Sequence, residues 1–344
     1  MAAFLGFLSQ YALFLAEVLT VVLAVAFIVA RVASAVSGSR RSEARGHLRT
    51  RRLDMKFRRL GLGIQREVMS AKAFKQLEKE QSQLDKARDK AEATRPCVYV
   101  LDFNGDIRAS QVSSLRDEVT AVITAARPGD EVVVRLESPG GLVHSYGLAA
   151  SQLARFREKK LPLTVVVDKI AASGGYMMAC VADRIVAAPF AVLGSIGVVA
   201  QVPNVNRLLK KHDIDYEIVT AGPWKRTLTV FGENTEAGRE KFRQEIEETH
   251  NLFKDFVHLH RPALDMEAVA TGEHWYGTRA LELGLCDEIR TSDDWLLARA
   301  PTADLLEVKV TTARSVGDRL GRLGAALLDR VVGKIQQSSM EPRG

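Results

Sequence analysis

Ser173 is the residue whose setting most suggests catalysis. It stands in the sequence Ala172-Ser173-Gly174-Gly175, between a short apolar run typical of a strand and an apolar run typical of a helix. A serine in this place can cap the helix by accepting a backbone hydrogen bond. Capping does not explain why two glycines, which are poor helix formers, occupy the first turn. Because these small neighbours leave the hydroxyl approachable, we interpret Ser173 as a candidate nucleophile.

Lys225 is the candidate base for that serine. It lies in Trp224-Lys225-Arg226-Thr227, and a lysine beside a tryptophan usually extends its amine into solvent. A serine hydroxyl must lose its proton to attack, and a lysine can accept that proton only where burial disfavours the ammonium form. We expect the burial to come from nearby apolar side chains, namely Trp224, Leu228, Val230 and Phe231.

Two turns complete the set of candidate site segments. Gly140 and Gly141 follow a run typical of a buried strand, where backbone N–H groups can face an anion. A glycine pair after a strand is more often only a tight turn. The second turn places Ser195 between glycines. Each of the four segments, taken alone, has a structural explanation.

Taken together, the four segments, their order and their spacing resemble the signal-peptide peptidase A family of serine proteases (peptidase family S49), and most closely its SohB-type branch. The resemblance covers residues 97–295. It implies that Ser173 is the nucleophile, that Lys225 is the general base and that Ser195 orients the lysine.

The same resemblance implies the oxyanion hole, the fold and the setting of the enzyme. The backbone N–H groups of Gly141 and Gly174 match the donors to the oxyanion. The implied fold is α/β, a ClpP/crotonase-like spiral of βαβ units. The implied enzyme is a serine endopeptidase of the bacterial inner membrane, acting on hydrophobic peptides or on fragments of signal peptides and membrane proteins. It is implied to be a homo-oligomer with active sites near the protomer interfaces, and no cofactor is implied.

Three alternatives stay open on the sequence. A Ser-His-Asp triad would need His212, at a polar helix end, or His144, at a helix start. A crotonase-like acyl-CoA enzyme would use the same glycine N–H groups but has no need of Lys225. A catalytically silent membrane scaffold would tolerate the loss of Ser173.

The globular part alternates strand and helix patterns from Cys97 onward, which indicates βαβ units. Continuous apolar runs rich in β-branched residues indicate strands buried on both faces. The pattern predicts strands at 97–103, 131–136, 163–167, 184–187 and 215–220 and near Leu285, with helices at 110–126, 144–160, 176–182, 236–260 and 279–283.

The first 31 residues differ from the rest of the chain and predict a transmembrane anchor. Within residues 11–30 only Tyr11 and Glu17 carry ionisable side chains. About 20 apolar residues in a helix cross the ~30 Å hydrocarbon core of a bilayer. An uncleaved anchor is favoured over a signal peptide because the basic cluster follows the apolar run instead of preceding it.

A basic segment follows the predicted anchor. Between Arg31 and Arg59, ten lysine or arginine residues stand against Glu43 and Asp54, which accounts for the net charge of +6 and gives no support for nucleic-acid binding. We interpret residues 32–95 as a juxtamembrane linker able to contact anionic headgroups, ending in a charged helix. The positive-inside tendency favours a cytoplasmic catalytic domain, whereas relatives in the resembled family work outside the cytoplasm.

The remaining features concern metal sites and the C-terminal region. Cys97, Cys180 and Cys286 are widely spaced without a CxxC pair, and His258 and His260 cannot share a helix face, so no metal site or disulfide is indicated. We place the protease domain at 96–300 and a tail at 301–344. The tail is expected to hold a strand and an amphipathic helix, since apolar residues recur at three-to-four spacing from 316 to 335.

Overall fold

The computed structural model describes residues 20, 23, 27, 46–90 and 95–311, and the segment Leu48–Val310 forms one compact unit. The anchor predicted for residues 11–30 lies almost wholly outside the described residues, and the amphipathic helix predicted for the tail lies entirely outside them. In the described ranges, no helix combines the length and the apolar character needed to cross a bilayer.

The described strands and helices alternate through most of the compact unit. The strands are β1 (His47–Arg52), β2 (Cys97–Asn104), β3 (Glu131–Glu137), β4 (Leu163–Val167), β5 (Ile170–Ala172), β6 (Arg184–Ala187), β7 (Val192–Gly194), β8 (His274–Tyr276), β9 (Glu288–Ile289) and β10 (Asp304–Thr311). The helices are α1 (Leu53–Val68), α2 (Ala71–Lys90), α3 (Val112–Ala125), α4 (Val143–Glu158), α5 (Gly174–Ala179), α6 (Asn206–Lys211), α7 (Glu236–His260), α8 (Met266–Val269), α9 (Gly277–Glu282) and α10 (Ser292–Arg299).

The main sheet has seven strands in the order β1-β10-β2-β3-β4-β6-β9. The neighbours from β10 to β9 run parallel, as expected where helices cross over between consecutive strands. Both faces are covered at the centre, so successive residues of one strand enter different apolar clusters. Leu101 and Phe103 of β2 pack in the larger cluster with α3 and α4, whereas Val98 and Val100 pack under Trp295 of α10.

A second, three-stranded sheet in the order β5-β7-β8 lies beyond the end of β3. β5 and β7 are parallel, with Ala172 opposite Gly194, and a single bridge joins Ser138 to Ala171. The segments that follow β3, β5 and β7 are therefore brought to one place.

Most of the predicted elements are confirmed. The strands at 163–167 and 184–187 and the helix at 236–260 have the predicted bounds, and the other helices differ by a few residues at their ends. The strand predicted at 215–220 is wrong, because that stretch is irregular, exposed and without a neighbouring strand. The strand expected near Leu285 lies at Glu288–Ile289 instead.

The predicted segment boundaries also differ from the compact unit. β1 and α1 lie in the stretch interpreted as a linker, and β10, assigned to the tail, pairs with β2 inside the main sheet. The strand expected in the tail is present as β10, but its own residues do not show that it pairs with β2, because the partner of a strand depends on tertiary packing.

Glu118 of α3 joins β10 to the main core through a hydrogen bond, and its burial makes the free energy of unfolding depend on pH. Its buried carboxylate accepts the backbone N–H of Val310 at 2.8 Å. Burial, the largest effect, raises the pKa of Glu118 to about 7, against the opposing hydrogen bond from Val310 and the charge of Lys309. Between the ordinary carboxyl value and about 7, the folded chain therefore binds more protons than the unfolded chain, and the free energy of unfolding falls as pH rises.

We expect Glu118→Gln to remove most of that loss while keeping an acceptor for Val310. From pH 5 to pH 8, the free energy of unfolding should fall by on the order of 2 kcal/mol less in the variant than in wild type. Urea unfolding of both chains at the two pH values, in the same mild detergent, measures the difference. Parallel pH dependence in the two chains would contradict the assignment to Glu118.

Candidate active site

Ser173 occupies a strained turn between β5 and α5. Its backbone has φ 53° and ψ −121°, a region that non-glycine residues rarely adopt. The Ser173 N–H donates to the carbonyl of Gly194 at 2.8 Å, and its own carbonyl accepts the N–H of Met177 at 3.0 Å. The half-buried side chain makes no capping hydrogen bond. The hydroxyl is thus left for another role, which removes the capping explanation for this serine.

Glycines line this turn because two backbone segments meet there with no space for side chains. Gly140 has φ +90°, and a Cβ on it would lie 2.7 Å from the Gly174 nitrogen and 2.8 Å from the Ser173 Cβ. A Cβ on Gly175 would lie 2.5 Å from the Ser138 carbonyl oxygen. The loop after β3 and the start of α5 are therefore held in direct backbone contact.

The two predicted oxyanion donors remain available in this arrangement. The N–H of Gly140 donates to Ser138 Oγ at 3.1 Å, and the N–H of Leu142 donates to the Ile107 carbonyl at 2.8 Å. The N–H groups of Gly141 and Gly174 have no acceptor among the described residues. Unpaired donors on touching segments beside a serine hydroxyl are what stabilisation of an oxyanion requires.

A buried tyrosine, which the sequence analysis did not single out, fixes the loop after β3. Tyr146 Oη donates to the Asp106 carbonyl at 2.8 Å and lies 2.6 Å from Ser138 Oγ. Its proton is used by Asp106, so Ser138 is the donor in the second bond. Its ring packs against the Cα of Gly174, and burial raises the pKa of the phenol, which keeps it neutral. The available signal was a phenol on the apolar face of a helix, where a hydroxyl needs a partner.

Ser195 lies beside Ser173, since each follows one of two paired strands. The register pairs Ala172 with Gly194, the residues that precede the two serines. Ser195 also has a positive φ of 51°, and its N–H donates to the Glu273 carbonyl at 2.6 Å. His250, which sequence reasoning also missed, lies 3.2 Å from the carbonyl of Ile196 in the same turn.

No hydrogen bond joins Lys225 to Ser173 among the described residues of the single chain. Lys225 lies in an irregular segment, its N–H reaches only the Gly222 carbonyl at 3.3 Å, and its exposed side chain forms no hydrogen bond or ion pair with another described residue. Trp224, expected to cover it, is itself 51% exposed. The apolar shell expected around the lysine is therefore not formed by this chain alone.

The histidines of the alternative triad form no described hydrogen bond with the serine turn. His212 is the exposed residue that follows α6, and His144 is exposed in the first turn of α4. In the part of the chain that the structure describes, neither ring has a hydrogen-bond partner. The described contacts therefore give no support to a histidine base.

A cavity of about 610 Å³ lies elsewhere on the molecule. It is lined by Pro128, Glu131, Lys159 and other residues at the amino end of β3. Ser138 follows the opposite end of that strand. The cavity thus lies apart from the serine turn.

Comparison with known proteins identifies the family. The model for the peptidase family S49 N-terminal region matches residues 6–153, and the model for peptidase family S49 matches residues 155–306. The chain belongs to peptidase family S49. Both matches together cover the resemblance at residues 97–295 and most of the segment before it, and the proteolytic class expected from the sequence is confirmed at the level of the family.

Two of the relatives found by sequence illustrate the similarity, and both are described as probable proteases. The chain is 48% identical over 334 residues to the probable protease SohB of Haemophilus influenzae, covering 92% of each protein. It is 63% identical over 204 residues to the probable protease SohB of Buchnera aphidicola subsp. Schlechtendalia chinensis, covering 59% of this chain and 67% of that protein. A solved membrane-bound stomatin-specific protease with a substrate peptide covers 66% of this chain and is itself covered to 96%, at 15% identity and a TM-score of 0.39, too low to inform the site.

We expect Tyr146→Phe to lower kcat while leaving KM unchanged. The variant keeps the packed ring but frees Ser138 and the Asp106 carbonyl, so the loop that carries Gly141 is less firmly positioned when the oxyanion forms. A loss of roughly tenfold corresponds to about 1.4 kcal/mol, the scale of one net hydrogen bond. Steady-state kinetics on a chromogenic peptide measure both constants.

Tyr99→Phe is the matched control for this change. The Tyr99 hydroxyl lies 3.4 Å from Asp130 Oδ2, near the amino end of β2, whereas Asp106 follows the carboxyl end of that strand. The control should retain wild-type kcat. Equal kcat for Tyr146→Phe and wild type would show that the phenol has no part in positioning the loop.

Proposed function

We propose that this chain is a membrane-anchored serine endopeptidase in which Ser173 is the nucleophile and Lys225 the general base. The observation that carries the proposal is the strained turn that leaves the Ser173 hydroxyl free beside the unpaired N–H groups of Gly141 and Gly174. Membership of a peptidase family supports the same reaction class.

The proposed reaction proceeds through an acyl-enzyme. Ser173 Oγ attacks the scissile carbonyl while Lys225 Nζ takes its proton, and the resulting oxyanion accepts hydrogen bonds from Gly141 and Gly174. One such donor is worth about 2.7–4 kcal/mol in a well-studied protease. The proton returns from the lysine to the departing amine. Water then repeats the attack and releases the acyl group, with Ser195 orienting the lysine throughout.

Assembly is the proposed means of bringing Lys225 to the serine. The segment that carries Lys225 exposes a set of apolar side chains, which a protein normally covers. They are Ile214, Tyr216, Ile218, Val219, Trp224 and Phe231. A second copy packed on this surface would exclude water around the lysine and lower the cost of its neutral form. Leu252 and Leu259 on α7, which are also exposed, fit the same role.

The proposed substrates are hydrophobic peptides or fragments of membrane proteins. Ile107, Leu142 and Val143 lie exposed next to Gly141 and offer an apolar surface to a bound peptide. In this proposal the chain is a single-pass protein of the bacterial inner membrane with a crotonase-like spiral of βαβ units. The basic segment after the anchor favours a cytoplasmic catalytic domain.

A catalytically silent scaffold is the second candidate. The exposure of Lys225 in the single chain favours it, since a base in water cannot serve the serine. The scaffold would keep its assembly and its biological effect without Ser173, and the next two experiments separate it from the protease.

Ser173→Ala should abolish both peptide hydrolysis and labelling by a fluorophosphonate. The change removes the attacking oxygen but leaves the backbone bonds of the turn in place. Mass spectrometry of the labelled chain locates the adduct. Ser151→Ala, on the exposed side of α4, is the control and should label normally. An adduct on another serine in the Ser173→Ala chain would assign the nucleophile elsewhere.

Lys225→Arg should inactivate the enzyme nearly as fully as Ser173→Ala, because nucleophile and base act as one unit. The guanidinium stays charged and cannot accept the serine proton. Lys211→Arg, at the exposed end of α6, is the matched control and should retain activity. A kcat/KM for Lys225→Arg within tenfold of wild type would overturn the dyad, and His212 and His144 would then be tested as the base.

A further inference from the structure

Helix α1 carries an apolar stripe that begins inside the protein and continues outside it. Leu53 is 2% exposed and packs with Phe57 beneath the main sheet. Leu60, Ile64 and Val68 follow at helical spacing and are 61%, 69% and 80% exposed. We propose that this outer part of α1 lies in the interface of an anionic membrane, with the exposed stripe among the lipid chains.

The stripe is a continuous face of one helix, and it is not a scatter of single exposed residues. Residues 53, 57, 60, 64 and 68 recur at three-to-four spacing, so their side chains share one side of α1. The first turn is fixed by the core, which determines the direction in which the remaining stripe faces. An apolar face held outward in this way needs an apolar partner.

The charges beside the stripe favour a lipid surface as that partner. Lys56, Arg59 and Arg66 are exposed on α1, and Arg49 and Arg51 are exposed on the preceding β1. A second copy packed through the same face would bring two basic clusters together. Anionic headgroups instead complement the basic residues near the surface.

The chain before α1 also favours the membrane. The anchor predicted to end at residue 31 leaves 21 residues before Leu53, a tether that holds α1 close to the bilayer. The inference rests on the proposed anchor in this one respect. The interfacial helix would be a second attachment besides the anchor, and it would fix the orientation of the catalytic unit on the membrane surface.

Spin labels on the full chain in lipid vesicles test the proposal. Nitroxides are placed at Ile64→Cys and Val68→Cys, with Gln65→Cys as the matched control on another side of the helix. Cys97, Cys180 and Cys286 are buried, and burial raises the pKa of each thiol, so they should not label. The vesicles contain phosphatidylethanolamine with phosphatidylglycerol, or phosphatidylcholine alone.

In the anionic vesicles, the ratio of oxygen to nickel-chelate collisions should be at least about threefold higher at Ile64→Cys and Val68→Cys than at Gln65→Cys. The contrast should shrink in phosphatidylcholine and at high salt. Equal, water-like ratios at all three positions would overturn the proposal. Spin–spin broadening at Ile64→Cys that disappears on dilution with unlabelled chain would also overturn it, in favour of a second copy.

Peptide hydrolysis by the same samples separates this inference from the proposed catalysis. Retained hydrolysis without the collision contrast would refute the interfacial helix alone. Contrast without any hydrolysis would refute the protease alone.

Discussion

The candidate site depends on one close approach between two backbone segments. The loop from Ser138 to Gly141 and the start of α5 meet without side chains between them, so Gly140 lies against the Gly174 nitrogen. The two segments meet because β3, β5 and β7 have their carboxyl ends side by side at this place. Tyr146 then joins the loop after β2 to the same place. A side chain larger than hydrogen at these glycines would move Ser173 away from the loop that carries Gly141.

The approach is maintained against backbone strain. Ser173 and Ser195 both have positive φ, a conformation that costs about 1–3 kcal/mol for such residues. Each is held by a hydrogen bond from its own N–H to the carbonyl of a neighbouring segment, that of Gly194 for Ser173 and that of Glu273 for Ser195. Because the acceptors of these bonds lie in the three-stranded sheet and in the loop beside it, that sheet stabilises both serine turns.

The sequence predicted the parts of the fold whose signal is local. Continuous β-branched runs located β3, β4 and β6, and the charged and apolar faces located α7 with its bounds. The three-stranded sheet was not predicted, and neither was the place of β10 in the main sheet. Strands of three residues, and a strand far along the chain from its neighbour, are defined by distant partners. Residues 215–220 show the converse: a β-branched sequence without a neighbour stays irregular. At the site, Gly141 and Gly174 were expected from the resemblance to the family, whereas Tyr146 depends on a contact across 40 residues with Asp106.

The two halves of the proposed dyad differ in how they are held. Ser173 is held against a packed core, and the N–H groups of Gly141 and Gly174 are held close to it. Lys225 lies where few apolar contacts hold the chain, and segments of that kind are the ones that proteins move or order on binding. An ammonium in water keeps its proton at neutral pH, so such a base becomes useful only when water is removed from around it. If Lys225 is the base, hydrolysis is therefore coupled to whatever covers residues 214–231. An unassembled chain would then carry a formed nucleophile without a working base.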